Sequence, residues 1–115
     1  MAFGAASANE VLQNAAAATG TGLAINMTGF TYLGISVAGT FVGTVTFEAS
    51  VDQGATWFGV SMKTMADGAA VATATAPGAF KMPIDACIDH FRANITAYTS
   101  GNITVKSYKQ ADAAG

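Results

Sequence analysis

A chain of 115 residues is the size of one domain with a modest core. Its formal net charge is −2, and its five basic residues, Lys63, Lys81, Arg92, Lys106 and Lys109, form no run in the sequence, which argues against a nucleic-acid partner. No apolar run approaches the roughly 18 residues needed to cross a membrane, and the single Cys87 cannot form an internal disulfide, so folding is expected to need no oxidising compartment.

Residues 1–20, MAFGAASANEVLQNAAAATG, allow three readings. Ser7 with Glu10 three residues on fits a capping box, with a short helix over Val11–Ala18 ended by Gly20. An Ala-rich terminal segment also suits a loosely held arm, and Glu10–Asn14 suits an outer strand. The expectation is an extended arm carrying a short strand, with Val11 and Leu12 as its partner-binding residues. No Lys or Arg precedes the Ala-rich stretch, so it makes a poor secretory signal. Thr19–Gly22 is a flexible turn. Leu23–Met27 reads as a strand with Leu23, Ile25 and Met27 on one face. Thr28-Gly29 turns the chain, and Phe30–Val37 follows with Leu33, Ile35 and Val37 inward.

Phe41–Val60 is the most specific stretch. Val45, Phe47, Ala49 and Val51 fall on one side of a strand and Thr44, Thr46, Glu48 and Ser50 on the other, the alternation of a half-buried strand. Asp52-Gln53-Gly54-Ala55 breaks that pattern with turn chemistry: Asp bonds its own backbone, and Gly takes a positive φ without steric cost. Thr56–Met62 reads as the return strand. Beyond it, Ala66-Asp67-Gly68 turns, Ala70–Ala76 alternates as a thin edge strand, and Pro77-Gly78 turns again. Ala79–Met82 follows, closed by Pro83, and Asp85–Asp89 is a polar corner. His90–Tyr98 places Phe91, Ala93, Ile95 and Ala97 on one face, with Arg92, Asn94, Thr96 and Tyr98 on the other. Ser100-Gly101-Asn102 is a hairpin turn, and Ile103–Tyr108 returns with Ile103 and Val105 inward and Thr104, Lys106 and Tyr108 outward.

About eight short strands, with turn signals every ten residues or so, predict an all-β chain. The expected fold is a single antiparallel β-sandwich, jelly-roll-like. The expected division is an N-terminal arm at 1–20, the sandwich at 21–109 and a flexible tail at 110–115.

The residues offer little chemistry. His90 has no second His or Cys at metal spacing, and a zinc site needs three or four convergent ligands. Cys87 and His90 have nothing to orient them as nucleophile and base, and Cys87 reads as a buried or half-buried thiol. Asp52, Asp67, Asp85 and Asp89 all fall in turns. No glycine cluster sits between a strand and a helix as a phosphate loop would. The reading is a protein without catalytic residues, cofactor or metal. Trp57 reads as core beneath its hairpin; facing outward with Tyr98 or Tyr108 on one sheet, it would make a sugar-stacking platform. Charged residues are only 10%, well below the usual quarter or so, which fits either a Thr/Ser/Ala/Gly surface or one covered by partners.

Ser50, Asp52, Gly54, Thr56 and Trp57 follow S-x-D-x-G-x-T-W, which resembles the Asp-box hairpin of sialidases and other secreted β-proteins. That resemblance implies a structural turn fastened by Ser50, Asp52 and Thr56. A second resemblance rests on Gly43–Ser50 (GTVTFEAS), Asp52–Trp57 (DQGATW), Phe91–Gly101 (FRANITAYTSG) and Asn102–Val105 (NITV). It covers roughly residues 20–108 and points to small tailed-bacteriophage virion accessory proteins of the head decoration, cement or head-fibre type. It implies a non-enzymatic β-sandwich, assembled in the bacterial cytoplasm, that sits on the outer capsid surface of the virion and binds and stabilises the assembled head. The implied partners are the major capsid protein and further copies of the chain, as a trimer, with neither nucleic acid nor membrane. Val11, Leu12, Tyr98 and Tyr108 are the candidate partner-binding residues. A glycan-binding or host-attachment module of a phage fibre is the alternative.

Overall fold

The structure is a computed structural model and describes residues 7–82 and 87–111. Residues 1–6 of the expected arm, Pro83, Asp85 and residues 112–115 of the expected tail lie outside the described residues. The described chain is all-β, with strands β1 (Ser7–Ala16), β2 (Ile25–Asn26), β3 (Tyr32–Ala38), β4 (Phe41–Ser50), β5 (Phe58–Gly59), β6 (Met62–Thr64), β7 (Ala70–Val71), β8 (Thr73–Ala74), β9 (Gly78–Lys81), β10 (His90–Gly101) and β11 (Ile103–Gln110).

They form two antiparallel sheets. One runs β1-β11-β3-β9-β6-β7, and the other β2-β10-β4-β5 with β8 also on β4. The pairing nests from the outside in: β1 with β11, β2 with β10, β3 with β9, and β4 with β5 and β8. That nesting wraps a chain into a jelly roll, whose eight positions fill two sheets. The strand after β4 is split. Phe58–Gly59 pairs with Glu48 and Ala49, and Thr73–Ala74 pairs with Val45 and Thr46. Between those two pieces the chain leaves to make the β6–β7 hairpin on the edge of the other sheet. The split strand and this hairpin turn the expected eight strands into eleven. They also correct the expected continuous return strand over Thr56–Met62: its last backbone bond to β4 is from the Val60 N–H to the Phe47 carbonyl at 2.9 Å, and Met62 is buried from the opposite sheet.

The N-terminal segment carries the expected outer strand, longer than Glu10–Asn14: from Ser7 to Ala16 it pairs with β11. Two register shifts after Val11 interrupt the alternation, so the neighbours Leu12 and Gln13 are both buried. The Gln13 amide donates to the Gly20 carbonyl at 3.0 Å and the Ala93 carbonyl at 2.9 Å, tying β1 to the second sheet.

The core forms where the two sheets meet. Leu33, Ile35, Val37, Ile103 and Val105 face Val45, Phe47, Ala49, Phe91, Ala93 and Ile95, all buried as period-two alternation requires. Phe47 packs on Phe80 of the other sheet at 5.1 Å between ring centroids and on Phe91 of its own sheet at 6.3 Å. One cation is also buried. Lys109 points inward, pairs with Glu10 at 2.8 Å, donates to the Asn26 carbonyl at 2.5 Å and lies 4.6 Å from the Phe30 ring. With charge and protons both satisfied, its burial is tolerable.

Five alternation readings fail where a strand ends or bulges. Ser50, read as outward, is buried at the end of β4. Leu23 and Val51 lie outside strands and are exposed. A register shift between Ile95 and Ala97 moves Ala97 into solvent and turns Tyr98 toward the core edge, where it is half-buried. Truncating Phe47 to Ala should cost about 3–5 kcal/mol. Val42→Ala, at an exposed position of the same strand, should cost under about 0.5 kcal/mol. Urea unfolding midpoints of the two variants check the contrast.

Candidate functional site

The turn after β4 is built from its own side chains. The Ser50 hydroxyl donates to Asp52 Oδ1 at 2.7 Å and accepts from the backbone N–H groups of Asp52 at 3.2 Å and Gly54 at 2.8 Å. Asp52 Oδ1 also accepts from the Thr56 N–H at 2.9 Å. Gln53 and Gly54 both have positive φ, 61° and 88°, the pair of signs a type I′ turn needs. Gly54 adopts this without cost. Gln53 is held there by a bond from its N–H to Asp89 Oδ2 at 2.9 Å. The Asp89 backbone bonds to Ser50 and Met27, and its Oδ1 lies 2.9 Å from His90 Nδ1. Asp89 therefore fastens the turn to the start of β10 and to the segment after β2. Asp89 and His90 meet although adjacent in the chain because Asp89 precedes the strand, so strand alternation does not apply to it.

These bonds shift the acid. The Ser50 hydroxyl, then the Thr56 N–H and hydroxyl, hold the Asp52 carboxyl below its ordinary 3.8. The Thr64 hydroxyl and the Ala69 N–H do the same for Asp67 in the β6–β7 turn. The charge on Asp52 serves the turn.

Trp57 is not core. It is half-buried on the outer face of the four-strand path β2-β10-β4-β5, with the Arg92 guanidinium 4.2 Å from its ring centroid. Arg92 Nε donates to Glu48 at 2.7 Å, and the Asn94 amide donates to the same oxygen at 3.3 Å. Thr46 and Thr96 share a hydroxyl bond at 2.8 Å on this face. The result is an aromatic ring beside a neutralised ion pair with spare guanidinium N–H groups. The sequence reading missed Arg92 and Glu48 as a pair. The signal was present, since both fall on the outward phase of their strands, but the alignment of β4 with β10 that sets them opposite was not legible.

The other candidates separate. Tyr98 lies on β10, six residues from Arg92 or about 20 Å along the strand, and its hydroxyl donates to the Gly101 carbonyl at 2.8 Å. Tyr108 is exposed on the outer face of the opposite sheet. Trp57, Tyr98 and Tyr108 therefore do not form one platform. Val11 is exposed and Leu12 is in the core, so Leu12 is a packing residue. Cys87 is exposed, against the expectation of a buried thiol, because it lies in the connection before β10. Among the described residues no three His, Cys, Asp or Glu side chains converge as metal ligands.

No protein-family model matches the sequence, and a comparison with curated proteins finds no match. Solved structures do match the fold. The chain is similar to SPBc2 prophage-derived protein YomS, with a TM-score of 0.85 and 15% identity over 96% of this chain and 98% of that one. It is also similar to PBSX exported protein XepA, with a TM-score of 0.88 and 18% identity. That match covers 96% of this chain and 40% of XepA, so the fold recurs there within a longer chain. At these identities the likeness is one of fold.

The turn chemistry sets a pH response. A carboxyl whose folded value lies below 3.8 stabilises the fold above that pH and loses the contribution as pH falls through the folded value. The urea midpoint should therefore drop below pH 3.8, and Asp52→Asn, which keeps the acceptor without the titration, should flatten part of that drop.

Proposed function

We propose that this chain is a phage-encoded structural protein of the virion that acts by binding, as a decoration or cement protein on the outer surface of the assembled head. The observation that carries the reading is the end-to-end likeness of its fold to a prophage-derived protein, YomS, together with a second phage-related chain, XepA, that holds the same fold. The sequence adds support: a surface poor in charge suits a protein covered by partners. A decoration protein stabilises a shell by mass action, because it binds the assembled form and not the free subunits. Its partners on this reading are the major capsid protein and other copies of itself, as a trimer. Purified protein should co-sediment with expanded capsids, and particles lacking it should lose heat resistance. Unchanged particle stability on deletion would sink the proposal.

One observation favours a second reading. Trp57 faces outward beside Arg92, Glu48 and Asn94, and an aromatic ring flanked by hydrogen-bonding groups suits a neutral sugar. On that reading the domain attaches a phage fibre to a host glycan. Trp57→Ala should then abolish binding on a glycan array without lowering the unfolding free energy by more than about 1 kcal/mol, and an array with no hits for the parent protein removes the reading.

A further inference from the structure

The outer face of the six-stranded sheet carries a charge pattern that the linear sequence hides. Its registers align Asn9, Tyr108, Gly34, Lys81, Lys63 and Ala70 in one row across all six strands. The neighbouring row holds Val11, Lys106, Ser36 and Ala79. Since Leu33, Ile35, Phe80, Ile103 and Val105 point into the core, these rows point out. Lys63, Lys81 and Lys106 are exposed and make up three of the chain's five basic residues. Lys63 and Lys81 are direct cross-strand partners. Lys106 is two strands and one two-residue step from Lys81, about 12 Å by strand geometry.

Among the described residues no carboxylate pairs with these lysines: the ion pairs within 4.0 Å are Asp89–His90, Glu48–Arg92 and Glu10–Lys109. Glu10 on β1 is committed to buried Lys109. The Asp67 carboxylate is held by the Thr64 hydroxyl and the Ala69 N–H. Like charges directly opposite on neighbouring strands are destabilising, and no core contact requires a lysine at either outward position. The lysines flank a concave, mostly apolar groove of about 340 Å³ whose lining includes Gly34, Met65, Ala79 and Tyr108. Gly34 keeps it open, since a Cβ there would come within 3.3 Å of the Met65 methyl. Exposed Tyr and Met ringed by polar groups is the composition of an interface centre and its rim.

We infer that this face is the docking surface of the protein and that its partner is an acidic protein surface, with Asp or Glu side chains meeting Lys63, Lys81 and Lys106 around an apolar side chain that enters the groove beside Tyr108. This rests on the capsid-binding reading and says which side of the sandwich turns toward the shell. Charge complementarity selects the partner in a chain that is otherwise net acidic. The groove selects a protein, because a phosphate backbone has no side chain to fill it. The opposite sheet's outer face, where Arg92 is neutralised by Glu48, is left pointing away.

The test measures binding of the full chain to purified expanded capsids by co-sedimentation. The variants are Lys63→Glu/Lys81→Glu/Lys106→Glu, Tyr108→Ala and, as a control on the other sheet, Val42→Ala. The triple variant and Tyr108→Ala should each weaken binding by roughly tenfold or more, a threshold of about 1.4 kcal/mol, and the control should not. Parent binding should weaken as ionic strength rises from about 0.01 M to about 1 M. Lys63→Glu alone should raise the melting temperature by converting a like-charge pair into an opposite one, and a lowered value counts against the argument. Capsid binding that is unchanged in the triple variant overturns this face and leaves the capsid reading standing. Failure of the parent to bind capsids overturns the capsid reading. The face is then read by NMR shifts of the Lys63, Lys81 and Lys106 amides on adding a poly-glutamate peptide. Absence of such shifts, or tighter binding to phosphatidylserine vesicles or single-stranded DNA than to the peptide, overturns the acidic-protein partner.

Discussion

The stacking of Phe47 between its own sheet and Phe80 across the sandwich is the contact on which the rest of the architecture depends. It joins the two sheets near the middle of the longest cross-strand pairing, β4 with β10. Once Phe47 is fixed inward, period-two geometry fixes Val45, Glu48 and Ala49 on β4 and, through the ladder, Phe91 to Ile95 on β10, up to the register shift after Ile95. Glu48 and Arg92 are then outward and opposed, and Val45 and Ile95 inward and opposed. The polar outer face and the apolar inner one follow from the same constraint.

The Ser50–Asp52–Asp89 node performs the complementary task at the end of β4. A strand leaving a core must turn without stranding its polar groups, and here three side chains satisfy the turn while holding Gln53 at a φ it would not choose alone. Among the described residues no buried side-chain nitrogen or oxygen lacks a partner. Lys109 obeys the same rule close to this node: Glu10 takes its charge, and it donates to the carbonyl of Asn26, whose neighbour Met27 bonds Asp89.

Local alternation made the inner faces of β3, β4 and β11 legible in the sequence, and turn residues made the break after Ser50 legible. Features that arise between strands were not. The bulges in β1 and β10 follow from pairing, so Leu12, Gln13, Ala97 and Tyr98 could not be placed by counting. Trp57 read as core because aromatics beneath hairpins usually are, yet it follows a turn that delivers it to the outside of the sheet. The lysines illustrate the limit most plainly. Positions 63, 81 and 106 look scattered in the chain, and only jelly-roll wrapping lays β6, β9, β3 and β11 side by side so that they share one face.

The split strand opposite β4 has a bearing on crowding. A long, straight sheet margin is a template onto which a neighbouring polypeptide can hydrogen-bond without limit. Here that margin is two fragments of two residues each, separated by a detour to the other sheet. A neighbouring chain would find no continuous backbone ladder to extend on that side. The β6–β7 detour thus acts as a guard against fibre formation, independent of whatever the broad faces of the molecule bind.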